Sequence, residues 1–171
     1  MSLNTLEEIA EYIVSDGKGI LAADESNPTC GKRFDSIGVE STETNRRDYR
    51  EMLFRATGMK DNIGGVILFD ETIRQNAEDG TPLVDLIKNQ GALPGIKVDK
   101  GLAPLESSPD ETVTQGLDGL DERCKEYVSL GAKFTKWRAV IKISDTIPSD
   151  ECIEANMRAL AKYAKIVQDN N

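Results

Sequence analysis

The sequence predicts an α/β fold with a parallel sheet, and three features indicate it. Four apolar runs, each too short to be a typical helix, recur along the chain. A segment with helical periodicity follows each run, usually after a capping residue. No alternating polar strands and no hairpin signal lie between them, so the strands are expected to run parallel and to be joined by right-handed crossovers. The predicted strands are residues 20–23, 63–69, 95–99 and 136–143.

The elements of the first half follow from capping residues and periodicity. Asn4 and Glu7 resemble the capped start of a helix that leads into the first strand. The polar stretch 25–41 is predicted to be a long loop after that strand. Ser41 or Thr42 is expected to cap the next helix. The apolar stripe of that helix is predicted to consist of Tyr49, Met52, Leu53 and Ala56.

The second half repeats the same order of strand and helix. Thr81 and Pro82 form a helix start, with the hydroxyl as cap and the proline at the first helical position. The stretch 104–109 is predicted to be a loop, and a helix is expected from about Asp118. Ser149 caps a long last helix. The apolar stripe of this helix is predicted to be Ile153, Met157, Leu160, Ala164 and Val167.

The length and the strand edges favour one half of a barrel over a complete open sheet. A chain of 171 residues is the size of one domain. An open sheet usually protects its outer strands with charges or proline, whereas residues 20–23 and 140–143 are apolar and unguarded. We therefore predict a single domain over residues 1–171. It would comprise the first four βα units of a (β/α)8 barrel, preceded by an amino-terminal helix.

Composition excludes several functions. The formal net charge of −9 argues against nucleic-acid or anionic-membrane partners, and no apolar run is long enough to span a bilayer. The absence of histidine removes Ser-His-Asp and Cys-His catalysis and histidine zinc sites. Three widely spaced cysteines suggest reduced thiols and no metal site. The acidic start has no leader pattern, so we expect a cytoplasmic protein, with a processed organelle form as the alternative.

Charged side chains recur inside the predicted strands. Asp24 stands at the exit of the first strand, and strand periodicity puts Lys97 and Asp99 on one face. Lys136 and Arg138 share a face of the last strand in the same way. For any one of these lysines, a surface salt bridge is the simpler explanation. The repeated pattern predicts a common polar pocket for an anionic substrate, in which a lysine with a lowered pKa can attack a carbonyl group.

Several segments closely resemble class I fructose-1,6-bisphosphate aldolase. The resemblance extends from about Leu6 to the last residue, and its motifs are long and follow the family's order. It implies a TIM barrel, and it also implies a lyase of glycolysis and gluconeogenesis that acts through a lysine Schiff base without metal or cofactor. The implied reaction cleaves fructose 1,6-bisphosphate to dihydroxyacetone phosphate and glyceraldehyde 3-phosphate. The segments are residues 19–26, 63–71, 95–101, 115–120, 123–124 and 136–138.

The same resemblance implies roles for individual residues. Asp24 matches the aspartate that orients the substrate and the proton-transfer groups, and Lys136 matches the lysine that assists the chemistry. Lys97 matches a lysine that contacts phosphate and hydroxyl groups, and Arg138 lies beside Lys136 as a substrate contact. The implied contacts of the distal phosphate are Ser26 and Thr29, and the further substrate-binding arginines are Arg33 and Arg46.

Two departures from the family's pattern limit these roles. Residues 27–29 are Asn-Pro-Thr where animal members have Thr-Gly-Ser, so a hydroxyl is kept but proline stiffens the segment. Without the resemblance, Arg46 would be interpreted as a solvated residue at a helix start. The family's Glu-Pro-Glu and Leu-Lys-Pro segments, which hold catalytic glutamates and the Schiff-base lysine, do not occur in this sequence.

These absences leave three hypotheses. We favour the amino-terminal half of an aldolase that does not turn over by itself, from an enzyme that is a homo-oligomer, a tetramer at full length. In the second hypothesis, Lys97, Lys136 or Lys142 replaces the missing amine nucleophile. The third is a non-catalytic half-barrel that pairs with another chain through its exposed strand edges.

Overall fold

A computed structural model describes Leu3 and residues 5–170. These residues form two compact units. The first contains the residues up to Lys97 together with Ser129–Thr135, and the second contains Val98–Val128 and the residues from Lys136 onward. The elements in chain order are α1 Leu6–Ile13, β1 Gly19–Ala23, α2 Asn27–Asp35, α3 Glu43–Phe54, α4 Met59–Asn62, β2 Ile63–Leu68, α5 Asp70–Ile73, α6 Leu83–Asn89, β3 Leu93–Lys97, β4 Leu102–Pro104, β5 Thr112–Thr114, α7 Leu120–Ser129, β6 Phe134–Lys136 and α8 Asp150–Gln168.

The main sheet has the strand order β1-β2-β3-β6. β1 pairs with β2 in parallel, and β2 pairs with β3 in parallel. Each of these strands is followed by at least one helix, which confirms the prediction of four successive βα units. Among the described residues, the sheet is open and does not close into a barrel.

Close packing in the first unit depends on two strand glycines. A Cβ at Gly64 would lie 2.5 Å from the backbone oxygen of Ile13, so the glycine permits the end of α1 to approach β2. A Cβ at Gly95 would lie 2.3 Å from the ring of Phe134. Because these approaches leave no room for a methyl group, glycine is required at both positions to keep the core closed.

The first helices differ from the prediction in their starts. The cap of α1 is Thr5, whose hydroxyl accepts from the Glu8 N–H at 3.2 Å, and Glu8 in turn accepts from the Thr5 N–H. The predicted cap, Asn4, lies outside the described residues. The stretch 25–41 is not a loop throughout, because it contains α2. Pro28 falls in the first turn of α2, where its missing N–H costs nothing.

The helix after Thr42 begins as predicted but turns a different face inward. Thr42 accepts from the Asn45 N–H at 3.1 Å. The buried residues of α3 are Arg50 and Phe54, whereas Met52 of the predicted stripe is 61% exposed. The start of α6 is also displaced from the prediction, because its cap is Pro82, one residue after the predicted cap Thr81. The apolar periodicity therefore located α3 correctly and misplaced its buried face.

The second unit contains a hairpin that the sequence pattern did not indicate. β4 and β5 pair antiparallel, with Leu102 opposite Thr114 and Pro104 opposite Thr112. Strands of three residues are too short for alternation to be visible, so the expectation of no hairpin was wrong. The predicted loop 104–109 is irregular except at Pro104, which ends β4. The next helix, α7, begins at Leu120, two residues after the predicted start.

Helix α8 has the predicted cap and an unpredicted buried face. The hydroxyl of Ser149 accepts from the Cys152 N–H at 3.2 Å. Asn156 is buried beside Cys152 and donates to the carbonyl of Thr112 at 2.9 Å, while Met157 of the predicted stripe is 47% exposed. Within the part of the chain that the structure describes, neither α8 nor any other helix is long and apolar enough to cross a membrane.

The last strand of the main sheet, Phe134–Lys136, lies earlier in the chain than predicted and is shorter. We expected a strand over 136–143, but β6 ends at Lys136 and no regular element follows before α8. The carbonyl of Arg138 accepts from the hydroxyl of Thr114 at 2.7 Å. The carbonyl of Val140 accepts from the hydroxyl of Thr112 at 3.3 Å. Side-chain hydroxyls thus replace the ladder that a neighbouring strand would provide.

Candidate active site

The register of the first unit aligns two predicted site residues. Ala23 pairs with Leu68, and Leu68 pairs with Ile96. Asp24 and Lys97 come directly after Ala23 and Ile96, so they stand at the same level at the carboxyl ends of β1 and β3. With β2 between these strands, their axes are about 10 Å apart. Both side chains are half-buried, and the sheet positions them as a pair flanking the end of β2.

Two hydroxyls lie together at the start of α2. Ser26 is the residue before the helix, and its Oγ lies 3.1 Å from Oγ1 of Thr29. The backbone N–H groups of Thr29 and Cys30 both bond the Ser26 carbonyl, so the hydroxyl of Ser26 is not used as the helix cap. Hydroxyls at a helix amino terminus can bind an anion, because the helix dipole favours negative charge there.

Arg33 extends from α2 toward solvent. Its guanidinium pairs with the carboxylate of Glu25 and donates to the hydroxyl of Tyr49 at 3.0 Å. The side chain remains 55% exposed. The negative charge of Glu25 raises the pKa of Arg33 above its ordinary value. Arg33, in the last turn of α2, is therefore an oriented, accessible cation.

Arg46 is engaged with a carboxylate of the same unit. Its Nε and Nη2 donate to the two oxygens of Glu71 at 2.8 and 2.6 Å, and Nη1 donates to the carbonyl of Ser41 at 2.6 Å. Asn27 adds a longer bond to Glu71 at 3.3 Å. The hydrogen bonds from Arg46 lower the pKa of Glu71, and the pKa of Arg46 is raised in turn. With its side chain only 12% exposed, Arg46 is not a solvated helix-start residue.

The sequence analysis missed Arg50, which has the most buried guanidinium among the described residues. Its side chain is 2% exposed. Nε donates to the carbonyl of Ala23 at 2.8 Å, and Nη2 donates to the carbonyl of Glu25 at 2.9 Å. The available signal was helical spacing, because Arg50 lies one turn after Arg46 and one turn before Phe54 on the buried side of α3. Charge alone made this position look like surface.

In the second unit, aromatic stacking supports the residues that follow β6. The ring of Trp137 stacks on that of Tyr163 in α8, with centroids 5.1 Å apart and planes inclined by 29°. The carbonyl of Lys136 accepts from the Val98 N–H at 3.1 Å. Lys136 is half-buried and Arg138 is exposed. These contacts hold the backbone at Lys136 and the side chain of Trp137, which lies between the predicted cations Lys136 and Arg138.

Arg123 holds the segment that follows β3. Its Nη1 donates to the carbonyl of Val98 at 3.0 Å, and its Nη2 donates to the carbonyl of Gly116. Gly116 has a φ of +126°, and a Cβ there would lie 2.9 Å from the backbone nitrogen of Lys100. This packing explains why glycine and arginine both occur in the motif 115–124. Across the described residues, no three Cys, Asp or Glu side chains form a group suited to a metal ion.

Comparisons with known proteins agree with this architecture. The sequence model of a family named Glycolytic, described as fructose-bisphosphate aldolase class-I, matches residues 5–171. A probable fructose-bisphosphate aldolase class 1 from Xanthomonas campestris is 54% identical over 99% of this chain and 51% of its own length. Fructose-bisphosphate aldolase C-A from Danio rerio is 57% identical over 96% of this chain and 46% of its own length.

A solved structure gives the same result for the fold. Fructose-bisphosphate aldolase from Plasmodium falciparum, crystallised with TRAP and a small-molecule inhibitor, superposes with a TM-score of 0.92 at 50% identity. The match covers 95% of this chain and 47% of that one. The fold matches part of that aldolase structure, as the resemblance predicted. The chain belongs to the class-I fructose-bisphosphate aldolase family, and it spans about half the length of the curated relatives it matches.

Proposed function

We propose that this chain provides four βα units of a class-I aldolase barrel that cleaves fructose 1,6-bisphosphate to dihydroxyacetone phosphate and glyceraldehyde 3-phosphate. The family match over residues 5–171 is the observation that carries the proposal. The family's Schiff-base lysine and paired glutamates have no counterpart in these 171 residues. The chain by itself therefore binds sugar phosphate and does not form the covalent intermediate.

Asp24 and Lys136 are the proposed catalytic residues. Cleavage of the carbon–carbon bond requires removal of a proton from a substrate hydroxyl and stabilisation of the charge that develops. A carboxylate and an ammonium group at strand ends can serve these two needs. The half-buried position of Asp24, at the same level as Lys97, supports its part of the proposal.

The remaining predicted residues are proposed to bind the substrate. Lys97 and Arg138 would contact its hydroxyl and phosphate oxygens. Ser26, Thr29 and Arg33 would hold the distal phosphate, which is supported by the paired hydroxyls at the start of α2 and by the exposed guanidinium of Arg33, which pairs with Glu25. Arg46 is proposed to position the segment that contains Ser26 and Thr29, through its bonds to Glu71 and the bond of Glu71 with Asn27.

Location and assembly belong to the proposal as well. We place the protein in the cytoplasm, which is supported by a 56% identical relative from Arabidopsis thaliana that is named a cytosolic fructose-bisphosphate aldolase. The complete enzyme is proposed to be a homotetramer. Its measured mass in solution tests that assembly directly.

The first experiment tests whether the 171-residue chain contains a lysine that forms the Schiff base. The 171-residue protein is incubated with dihydroxyacetone phosphate and borohydride, and its intact mass is measured. We expect no covalent adduct. An adduct on Lys97, Lys136 or Lys142 would contradict this division of roles and would establish the second hypothesis, in which one of these lysines replaces the missing nucleophile.

The second experiment restores the rest of the barrel. Residues 1–171 are fused to the carboxyl-terminal half of the zebrafish relative, and cleavage of fructose 1,6-bisphosphate is measured. We expect turnover, and we expect Asp24→Asn to lower kcat by about 100-fold or more. Asp16→Asn, the same change at an exposed position, serves as the control. Equal activity of the two variants would refute the catalytic role of Asp24.

A half-barrel that pairs with another chain is the second candidate function. It is favoured by β1, an outer strand of the sheet on which Ile20 is 42% exposed. An apolar outer strand is a template for pairing. Sedimentation of the 171-residue chain tests this candidate, because a well-folded monomer would exclude pairing with a second copy.

A further inference from the structure

Arg50 brackets Asp24 with two backbone contacts. The carbonyl of Ala23, immediately before Asp24, accepts from Nε at 2.8 Å. The carbonyl of Glu25, immediately after Asp24, accepts from Nη2 at 2.9 Å. A single planar guanidinium in α3 therefore fixes the residues on both sides of the aspartate at the exit of β1.

The remaining contacts of Arg50 immobilise the guanidinium itself. Nη1 lies 3.2 Å from Sγ of Cys30 in α2, and Nη2 lies 3.0 Å from Oε2 of Glu25 as an ion pair. The guanidinium carbon is 5.0 Å from the ring centroid of Tyr49. A charge that is only 2% exposed carries a large desolvation cost, which these bonds must offset. Loose packing would not hold an arginine in this place.

The direction of the Asp24 side chain follows from this arrangement. The Cα–Cβ bond of a residue is oriented by the two peptide planes that flank it. Arg50 bonds the carbonyl of Ala23, which belongs to the plane before Asp24, and it bonds the carbonyl of Glu25, so the plane after Asp24 is held between two anchored carbonyls. Rotation of the backbone at Asp24 would break at least one of these bonds. Arg50 thereby orients the Cα–Cβ bond of Asp24 through the backbone.

We propose that Arg50 is the positioning residue for Asp24, so that it sets the orientation of the carboxylate in proton transfer without touching the substrate. This inference rests on the proposed function of Asp24. A displacement of about 1 Å in a reacting group can cost about 100-fold in rate. Since Arg50 does not contribute to substrate binding, its loss should lower kcat and leave KM nearly unchanged.

Arg50→Lys is the main test, in the fused enzyme described above. Lysine keeps the positive charge beside Glu25 but lacks the rigid fork that bonds two carbonyls at once. We expect kcat to fall by about 10- to 100-fold, with KM changed by less than about twofold. Arg47→Lys is the matched control, because it makes the same change on α3 at a guanidinium that pairs with the adjacent Asp48. Its kcat should stay close to that of the parent enzyme.

A double-mutant cycle distinguishes positioning from a general loss of structure. If Arg50 acts through Asp24, Arg50→Lys should have almost no further effect on kcat in the Asp24→Asn enzyme. A purely structural role would lower kcat equally in both backgrounds and would overturn the inference. Arg50→Ala adds a second measurement, in which millimolar guanidinium should restore part of the lost kcat. If Arg50→Ala does not fold, the Arg50→Lys cycle still decides.

The failure of this inference differs from the failure of the proposed function. If Asp24→Asn retains full activity, the catalytic role of Asp24 is wrong and Arg50 has nothing to position. If Asp24→Asn is impaired while Arg50→Lys matches the parent enzyme in kcat, the role of Asp24 stands and the role of Arg50 is refuted. Near-ultraviolet circular dichroism of each variant confirms that folded proteins are being compared.

Discussion

The backbone that follows β1 and the backbone that follows β6 are held by different kinds of contact. After β1 the chain enters α2 within four residues, and buried Arg50 bonds its backbone at Ala23 and Glu25. After β6 the chain has no regular element for thirteen residues, and threonine hydroxyls bond its carbonyls at Arg138 and Val140. One exit is fixed by a buried charge, and the other by neutral side-chain hydrogen bonds.

The two kinds of contact differ in the free energy that each hydrogen bond contributes to stability. Hydrogen bonds to a charged group contribute roughly 1.5–3 kcal/mol each, against about 1 kcal/mol for neutral ones. The β1 exit should therefore be the stiffer of the two, and a lost partner there should cost more. A proposed catalytic carboxylate suits the stiff exit, whereas the β6 exit can tolerate more adjustment around Arg138.

The largest effect on stability is expected at Phe134, the first residue of β6, whose ring packs closely against Gly95 of β3. Gly95→Ala would put a methyl group 2.3 Å from the Phe134 ring, so the ring or the strand must move. We expect a loss of about 3 kcal/mol in the free energy of unfolding, measured by urea denaturation. Gly19→Ala is the control, since a Cβ there meets nothing within 4 Å. Equal stability of the two variants would show that Phe134 does not pack on β3.

The next effect concerns the charged network near the β1 exit. Arg46→Ala removes the paired bonds to Glu71 and leaves a carboxylate that is only 22% exposed without its main partner. We expect a loss of about 2 kcal/mol in the free energy of unfolding. Arg47→Ala, at the neighbouring position on α3, removes a surface pair with the adjacent Asp48 and should change little. Similar losses in both variants would mean that the Glu71 pair does not stabilise this exit.

These contacts also show what the sequence could reveal. Apolar runs located the first three strands of the main sheet, and capping residues located the starts of α3 and α8, because both signals are local. The helix α2 was missed since Asn27-Pro28 looks like a loop, although proline is compatible with a first helical turn. Helical spacing indicated the buried side of α3, but the partners of Arg50 could not be predicted, because they are backbone carbonyls more than twenty residues away.

The β6 region shows a second limit of the same kind. The apolar run that continues past Lys136 resembles a strand, yet a strand needs a neighbour whose N–H groups reach it. The hydroxyls of Thr112 and Thr114 occupy carbonyls of this run instead. Periodicity reports the conformational preference of one segment alone. The residues that bond this run, Thr112 and Thr114, lie in the hairpin that the sequence did not predict. The shared pocket of Asp24, Lys97, Lys136 and Arg138 stays a prediction.

A smaller effect is expected at the β6 exit. Thr114→Val removes the hydroxyl that donates to the Arg138 carbonyl at 2.7 Å while keeping nearly the same shape in a buried site. We expect a loss of about 1 kcal/mol in the free energy of unfolding. Thr146→Val, the same change at an exposed position, is the control. A loss as large as that of Arg46→Ala would erase the proposed difference between the two exits.

The smallest effect is the pH dependence of the Arg46–Glu71 pair, which a bond from Asn27 of α2 connects to the chain after β1. The bonds from Arg46 hold the pKa of Glu71 below its ordinary value of 4.5. A carboxylate with a lowered pKa in the folded state stabilises the protein fully above its unfolded pKa, and this contribution is lost as pH falls through the folded value. The stability of the parent protein should therefore decline below about pH 4.5, beyond the decline of Glu71→Gln. Urea unfolding of both proteins between pH 7 and pH 3 measures the gap.

Glu40→Gln is the matched control for this measurement, because its exposed side chain lies outside the Arg46 network. The gap between the parent protein and Glu71→Gln should narrow toward acid, while the gap to Glu40→Gln should stay nearly constant. Thr114→Val should give a pH-independent gap, since a threonine hydroxyl does not titrate in this range. A gap for Glu71→Gln that is constant with pH would show that the Arg46–Glu71 pair contributes through packing and not through charge, and the two exits would then differ only in degree.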